Sequence, residues 1–457
     1  MLTNDRLIDD NLTNNKLANL ANEKLLNSLG SFVKDRYIQK AALLKSQNLY
    51  PYFRSIEETD AINVIIGNKK HVMIGSNNYL GLTHHPYVQE MAIKATERYG
   101  TGCTGSRFLN GNFAIHEELE EKLAKFIGHE ASLVYATGMQ VNLGTLSSIV
   151  GPRDCAFSDM ENHASIIDGL RLGGKTYKYK HNNMAELEDL VSTYKDRYEK
   201  IVIVTDGVFS MTGGIANLPE IVRIAKKHGA LIYVDDAHGL GVLGNHGRGT
   251  VSHYGINTQD VHFNMSTFSK SFASIGGFVS GSKEAIDYVR HVSRSFIFSA
   301  ALPPSAVATA LACIDLISKD DSFQKRLESN ARFMREGFLN LGFDILNSET
   351  PIIPIFVGDD VKAMKITMFL HHHGVFATPV IAPATAPGMA LLRTSYSAAH
   401  EKSDLQFCLE IFEKVKKEFG INKADEEDET HEMHEMHETH ETHETLERHE
   451  TYETKYC

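Results

Sequence analysis

Between about residues 70 and 300 the chain alternates short apolar runs with helical patterns, and this alternation limits the fold more than any other feature. The runs LVYA (133–136), CAFSD (155–159), IVIVTDG (201–207), LIYVDD (231–236), HFNMSTF (262–268) and GGFVSG (276–281) read as strands. Stretches such as EELEEKLAKFIG after His116 and LPEIVRIAKKHG after Asn217 carry apolar residues at helical spacing. Strands that alternate with helices need crossover connections, which cover both faces of a mostly parallel sheet. The expected class is therefore α/β with a mostly parallel central sheet. Ligands of such sheets gather beyond the carboxyl ends of the strands, and Asp159, Asp206, Asp235 and Ser269 fall there.

A chain of 457 residues exceeds the roughly 250–300 that one hydrophobic core serves. From about 301 the rhythm changes. A long helical region reaches Gly342, followed by PIIPIFVG, a helix ending at HHHG, the strand-like VFATPVI, LLRTSYS and a last helix over 401–419. The expected organisation is an N-terminal helical arm (1–45), a large domain (46–300), a smaller α+β C-terminal domain (301–421) and a tail (422–457). In the arm, Ile8, Leu12, Leu17, Leu20, Leu25 and Leu29 recur at loosely helical spacing. Its polar face is not strongly basic, so packing on its own protein is favoured over a membrane surface. The tail repeats HET and HEM triplets with almost no apolar residues. It lacks the surface to offset its ordering entropy and is expected to be disordered.

The net charge of −12 belongs mostly to that tail: residues 423–457 hold thirteen acids and three bases, and the rest holds 45 acids and 43 bases. A near-neutral body offers no electrostatic case for nucleic acid. Five scattered cysteines without CxxC spacing suggest reduced thiols in a cytoplasm. No secretory leader and no apolar run approaching 18 residues is visible. A weak peripheral contact at the inner face of the membrane is left open by the arm. His431, His434, His437, His440 and His443 recur every third residue, a spacing that drifts around a helix and would at most bind a transition metal weakly in pairs. A metal-handling protein is thus a weaker reading, and no metal is expected in the body.

The segment STFSKSFASIGGF (266–278) puts Lys270 at the end of a buried strand among small and hydroxyl residues. A desolvated ammonium is unfavourable there unless chemistry uses it, and a Schiff base to an aldehyde cofactor is one such use. Thr267 and Ser269 offer hydroxyls to a phosphate. In VDDAHGLGVLG (234–244), Asp235 can pair with a protonated pyridine nitrogen, and His238 can reach a phenolic ring oxygen. His163, in DMENHASIIDG (159–169), can lie flat on a ring. Gly138, in YATGMQVN (135–142), sits at a strand-to-helix turn whose free N–H groups suit a phosphate. Singly, each has a plainer reading: a surface lysine, a helix-capping aspartate, a core histidine, an ordinary turn.

Together with GTGCTGSRFLNG (100–111), ATGMQVNLG (136–144), NHAS (162–165) and TDGVFSMTGG (205–214), these motifs resemble the α-oxoamine synthase family over roughly residues 45–415. The resemblance implies a fold-type I pyridoxal-phosphate (PLP) enzyme that condenses an amino acid with an acyl-CoA and releases CO2. It implies that Lys270 holds the cofactor and moves protons, and that Asp235 pairs with the pyridine nitrogen. His238 would contact the ring oxygen, while His163 stacks on the ring and helps hold the substrate carboxylate. Gly138, Met139, Thr267 and Ser269 would serve the phosphate, and Ser210 the cofactor. Ser299 and Ala300 (SFIFSAALPP) would reach the phosphate of a neighbouring subunit, implying a homodimer with a shared active site. Arg393 (MALLRTSYSAAH) would bind the substrate carboxylate, and Asn77 (SNNYLGL) would line the substrate side. The family usually carries an aromatic residue at the position of Met139.

Within the family, GTGCTGSRFLNG, HASIIDG, KHNNMAEL, TFSKSFAS and IFSAALPPS are most similar to the branch of soluble bacterial serine palmitoyltransferases, as is NLYPYFR (48–54). Glycine-using branches carry Gly rather than Ser before the lysine. The expected substrates are L-serine and a long-chain acyl-CoA, palmitoyl-CoA; another branch, such as glycine C-acetyltransferase or amino-oxononanoate synthase, is the alternative. Non-catalytic regulatory subunits of this fold lose the lysine, so Lys270 speaks against that reading.

Overall fold

The computed structural model describes residues 36–382 and 384–421. The expectations for residues 1–35 and for the tail, including its disorder and weak metal binding, lie outside the described residues. The chain divides into two compact units, one ending at Arg54 and one beginning at Ser55. In the first, a helix over Arg36–Ser46 leads into a turn at Asn48, where φ is 54°, and Tyr50 meets Tyr52 edge to face at 5.5 Å.

The second unit is built on a seven-stranded sheet. Its strands are β1 (Ala131–Tyr135), β2 (Cys155–Asp159), β3 (Lys175–Tyr179), β4 (Ile201–Asp206), β5 (Leu231–Asp235), β6 (Phe263–Thr267) and β7 (Gly277–Gly281). Across the sheet the order is β1-β7-β6-β5-β4-β2-β3. The pairings from β6 through β3 are parallel, while β7 runs antiparallel to both its neighbours. Every residue of β2, β4, β6 and β7 is buried, as a sheet covered on both faces requires. β3 (KTYKY) was not among the expected strands. It is the edge strand, its exposed Lys175 and Lys178 interspersed with Tyr177 and Tyr179, and edge lysines both blunt foreign pairing and mask the apolar signal.

Four helices frame the site or divide the cores: α1 (Gly138–Ile149), α2 (Ala164–Arg171), α3 (Pro304–Ile317) and α4 (Ser322–Leu341). The packing crosses the expected boundary at 301. The buried face of α3 (Val307, Leu311, Ile314) joins one core with Leu119 and Leu123 of the helix Ala114–Ile127 and with Phe268, Phe272 and Phe278. The second core begins with Met334 and Phe338 of α4 and continues through Ile353, Leu392 and Phe412. It also takes in Val72 and Ile74, because Lys69–Met73 pairs in parallel with Val375–Phe376. An apolar helix after a sheet reads as the start of a new domain, yet α3 closes the first core. The expected strand VFATPVI is two pieces. Val375–Phe376 joins a four-stranded sheet, and Thr378–Val380 joins Ile352–Gly358 and Ala390–Ser395 in a three-stranded antiparallel sheet. Among the described residues no helix is long and apolar enough to cross a membrane.

Candidate active site

A cavity of about 370 Å³ opens at the carboxyl ends of β4, β5 and β6, against the N-termini of α1 and α2. Its wall contains Asp206, Asp235, Thr267, Lys270, Gly138 and His163, with Met139, Ser210, His238 and Ser269 also lining it. The cavity thus lies where the strand-end rule points, with Asp206, Asp235 and Ser269 in its wall. Asp159 is not in that wall, its Oδ2 accepting from Asn182 N–H at 2.9 Å.

Lys270 sits in the connection from β6 to β7, and that connection is fastened on several sides. The N–H of Phe268 donates to the Gly276 carbonyl (2.9 Å), and Ser274 N–H donates to the Phe268 carbonyl (3.0 Å). Thr267 Oγ1 donates to the same Gly276 carbonyl at 2.8 Å. Phe268 and Phe272 are fully buried and stack on each other. The ammonium that this loop presents makes no hydrogen bond or ion pair among the described residues. Burial pushes its pKa down to about 8 against the opposing pull of the Asp235 and Asp206 carboxylates. An amine in that range is an available nucleophile.

α1 starts at Gly138 with Thr137 as its cap, the Thr137 hydroxyl accepting from Gln140 N–H. The N–H groups of Gly138 and Met139 have no acceptor within the helix, as in any first turn. A Cβ at Gly138 would lie 2.9 Å from Thr267 Oγ1 and 3.0 Å from Thr267 Cβ. Glycine is therefore what lets the helix end close against the hydroxyls of Thr267 and Ser269, which lie 2.9 Å apart.

Of the two adjacent acids at the end of β5, the structure separates the roles. Asp236 is turned away from the cavity, holding Thr250 through its backbone N–H (2.7 Å) and hydroxyl (2.6 Å). Asp235 lines the cavity, its Oδ1 accepting from Ala237 N–H (3.0 Å) and its Oδ2 from Asn142 Nδ2 (2.7 Å). Asp206 stands beside it in register on β4. Burial, and next the Asp235 charge, hold the Asp206 carboxyl well above the usual carboxylate range. Burial keeps both cavity histidines neutral. It lowers His163, with Asp235 opposing and Lys270 assisting, and drops His238 well below its ordinary value, aided by Lys270, Arg393 and His163.

His238 Nδ1 meets Tyr79 OH at 2.7 Å. Tyr79 OH also lies 3.4 Å from Arg393 Nη2, which donates to Asn77 Oδ1 at 2.8 Å, and Arg393 Nε donates to the Ser210 carbonyl at 2.7 Å. Arg393 and Asn77 therefore stand behind Ser210 and Tyr79 rather than in the cavity wall itself. Nη1 is the guanidinium nitrogen without a protein acceptor among the described residues, so the fork expected from the sequence is half engaged already. Ser299 and Ala300 do not line this cavity. Ser299 Oγ accepts from Gln140 Nε2 at 2.8 Å, at the first turn of α1.

The aminotransferase class I and II family matches residues 69–412. The chain belongs to that family. Serine palmitoyltransferase of Bacteriovorax stolpii is 58% identical over 418 residues, covering 91% of this chain and 98% of that protein. An 8-amino-7-oxononanoate synthase of Thermoanaerobacter pseudethanolicus is 42% identical over 384 residues, covering 84% of this chain and 97% of that one. Among solved structures, serine palmitoyltransferase from S. paucimobilis with a bound PLP–myriocin aldimine superposes with a TM-score of 0.81 at 33% identity, covering 84% of this chain and 98% of that one. The fold class expected from the motifs is thus the fold observed, a mixed α/β family member with a mostly parallel central sheet.

Polar residues in or behind the cavity wall that escaped sequence reasoning include Thr137, Asn142, Ser165 and Tyr79. Asn142 and Ser165 sit on helices among other polar residues, so nothing in the pattern sets them apart. Tyr79 lies in SNNYLGL beside Asn77, and its full burial is the signal that only the structure supplies.

Proposed function

We propose that this chain is a PLP-dependent serine C-palmitoyltransferase, condensing L-serine with palmitoyl-CoA to give 3-ketodihydrosphingosine, CoA and CO2. The observation that carries the cofactor is the convergence of an unpaired, low-pKa lysine, a buried aspartate and a helix N-terminus held open by glycine around one cavity. What supports serine over its alternatives is the 58% identity to a protein named serine palmitoyltransferase, against 42% to one named 8-amino-7-oxononanoate synthase.

The residues present fit the cofactor. Gly138 and Met139 N–H groups with the Thr267 and Ser269 hydroxyls would hold its phosphate, Lys270 Nζ its aldehyde carbon, Asp235 its ring nitrogen and His238 its ring oxygen. Bound there, PLP supplies an electron sink for negative charge at the substrate Cα. Lys270 Nζ, freed when the substrate amine takes its place, would act as the base that removes the Cα proton. Asp235, held in place by its two donors, keeps the facing nitrogen protonated. His163, neutral, offers one ring N–H to the substrate carboxylate, and Arg393 offers Nη1. Holding that carboxylate until the new carbon–carbon bond exists is what keeps decarboxylation from coming early.

A homodimer is part of the proposal. Phe108, Leu109 and Phe298 are exposed large apolar side chains. Their two loops are joined by Ala301 N–H donating to the Gly105 carbonyl at 2.9 Å. A partner covering them would bring Ser299 and Ala300 towards its own phosphate. The cytoplasmic location stays with this reading. Cys103, Cys155, Cys313 and Cys408 are buried and unpaired, and burial pushes the Cys155 thiol up to about 12.

The test is turnover of the holoprotein with serine, glycine or alanine and palmitoyl-CoA, read as CoA release and as ketone product by mass spectrometry. Serine is expected to turn over fastest, and Lys270→Ala to abolish turnover. Faster condensation of glycine or alanine would replace this reading with another branch of the family.

A further inference from the structure

Tyr233 OH, fully buried, donates to Asn142 Oδ1 at 2.6 Å. Its proton is secure, because burial and the nearby Asp235 charge hold the phenol well above its ordinary value. That bond decides which way the Asn142 amide faces. With Oδ1 turned to the phenol, the two hydrogens of Nδ2 go to Asp235 Oδ2 (2.7 Å) and to Ser165 Oγ (2.8 Å). The flipped amide would set oxygen against a carboxylate, acceptor on acceptor, so one orientation alone satisfies all three partners. Ser165 Oγ, having accepted from Asn142, has its own hydrogen left for His163 Nδ1 at 2.7 Å. Ser165 N–H also points at that nitrogen, at 3.3 Å. His163 Nδ1 is thus an acceptor, and the proton of the neutral imidazole sits on Nε2.

We propose that Asn142 is a positioning residue that sets, through one buried amide, both the orientation of the Asp235 carboxylate and the hydroxyl half of the Ser165 donor pair that holds His163 in its Nε2–H tautomer. The donor chain runs one way, from Tyr233 through Asn142 to Ser165 and His163, with a branch to Asp235. The relay deepens the reading of this cavity as a PLP site. It rests on that reading for its consequence, though not for its geometry. Two groups expected to face the cofactor, at the start of α2 and the end of β5, are set by a third element, α1. Asn142 touches neither substrate nor cofactor in this scheme.

The experiment is 15N NMR of histidine-labelled protein, with and without PLP, combined with titration of PLP affinity. The wild type is expected to show His163 as one tautomer, protonated at Nε2. With the Ser165 hydroxyl freed to turn in Asn142→Ala and absent in Ser165→Ala, only the longer Ser165 N–H contact still favours an accepting Nδ1, so each variant should raise the Nδ1-protonated fraction of His163. Asn142→Ala removes a bond to a charged group and should weaken PLP binding on the order of tenfold. Ser165→Ala leaves the Asn142–Asp235 bond in place and should keep PLP affinity near wild type. Tyr233→Phe, which removes only the orienting donor, should reproduce the tautomer change if Asn142→Ala does not fold. An unchanged Nε2–H tautomer across these variants overturns the proposal, as does equal loss of PLP affinity in Ser165→Ala and Asn142→Ala. A wild type that binds no PLP yet shows the Nε2–H tautomer, lost in the variants, would sink the functional reading and leave the relay standing.

Discussion

Replacing Arg393 with lysine separates substrate binding from scaffold more sharply than any other single change at this site. The guanidinium holds three protein groups: the Ser210 carbonyl through Nε, and Asn77 Oδ1 and Tyr79 OH through Nη2. Nη1 has no protein acceptor among the described residues, and in the proposed arrangement it meets the substrate carboxylate. A lysine has one nitrogen on a flexible stem and cannot span the Ser210 carbonyl, Asn77 and a carboxylate together. A hydrogen bond to a charged group contributes about 1.5–3 kcal/mol, so the substrate contact alone predicts a loss of serine affinity of roughly tenfold to a hundredfold. The acyl thioester makes no use of this arginine in the proposed arrangement. Steady-state kinetics should therefore show KM for serine raised at least tenfold and KM for palmitoyl-CoA nearly unchanged. Some thermal destabilisation should accompany it, since the Ser210 carbonyl loses its donor. Equal rises in both KM values would refute the reasoning and make Arg393 a structural tie between Ala390–Ser395 and the 205–214 loop.

An amine whose pKa is drawn below its ordinary value gives up its proton sooner, so the neutral fraction of Lys270 grows as pH rises through about 8. The rate at which protein stripped of PLP recaptures it should climb across that pH and level off above it, and a flat profile between pH 7 and 9 would contradict the assignment. Gly138→Ala forces a Cβ to within 3.0 Å of Thr267; overpacking of this kind costs about 1–3 kcal/mol, and PLP titration should show weakened binding in a protein that still folds. Deleting residues 423–457, acidic and nearly free of apolar side chains, should leave serine turnover and thermal midpoint nearly unchanged. Loss of activity on truncation would mean that the tail docks on the body.

Much of this site could be read in the sequence because its chemistry is concentrated at strand ends. The limits of β2 match the apolar run CAFSD, and β4, β5 and β6 differ from their runs by a residue or so at each end. Lys270 stands out as an odd residue for a buried strand end, whereas Asp235 and His163, which singly read as a helix cap and a core histidine, gain their meaning only from the ordered motifs around them. Direction was not legible. β7 (GFVSG) is buried like β2, β4 and β6, and the link from β6, which ends at Thr267, to Gly277 holds no crossover helix, so β7 returns antiparallel. The preference for Asp235 over Asp236 came from the family resemblance, and its physical ground, Thr250 arriving from 14 residues away to engage the second acid, is supplied by the structure. Asn142 is hidden for a related reason. In GMQVNLGTLSSI it looks like one more polar helix position, and its worth lies wholly in three partners drawn from β5 and α2.

The fastening of the β6–β7 connection bears on how Lys270 operates. Phe268 N–H holds the Gly276 carbonyl, Ser274 N–H the Phe268 carbonyl and Ala273 N–H the Lys270 carbonyl, and the rings of Phe268 and Phe272 are fully buried, so the chain at this point acts as a fixed post. In the proposed chemistry, all travel between holding an aldehyde, releasing it and reaching for a proton must come from rotation about the four carbon–carbon bonds of the side chain. A post of that kind sets a radius. Any replacement amine with a shorter stem would fall short at one of the three stations, with no backbone movement to make up the difference.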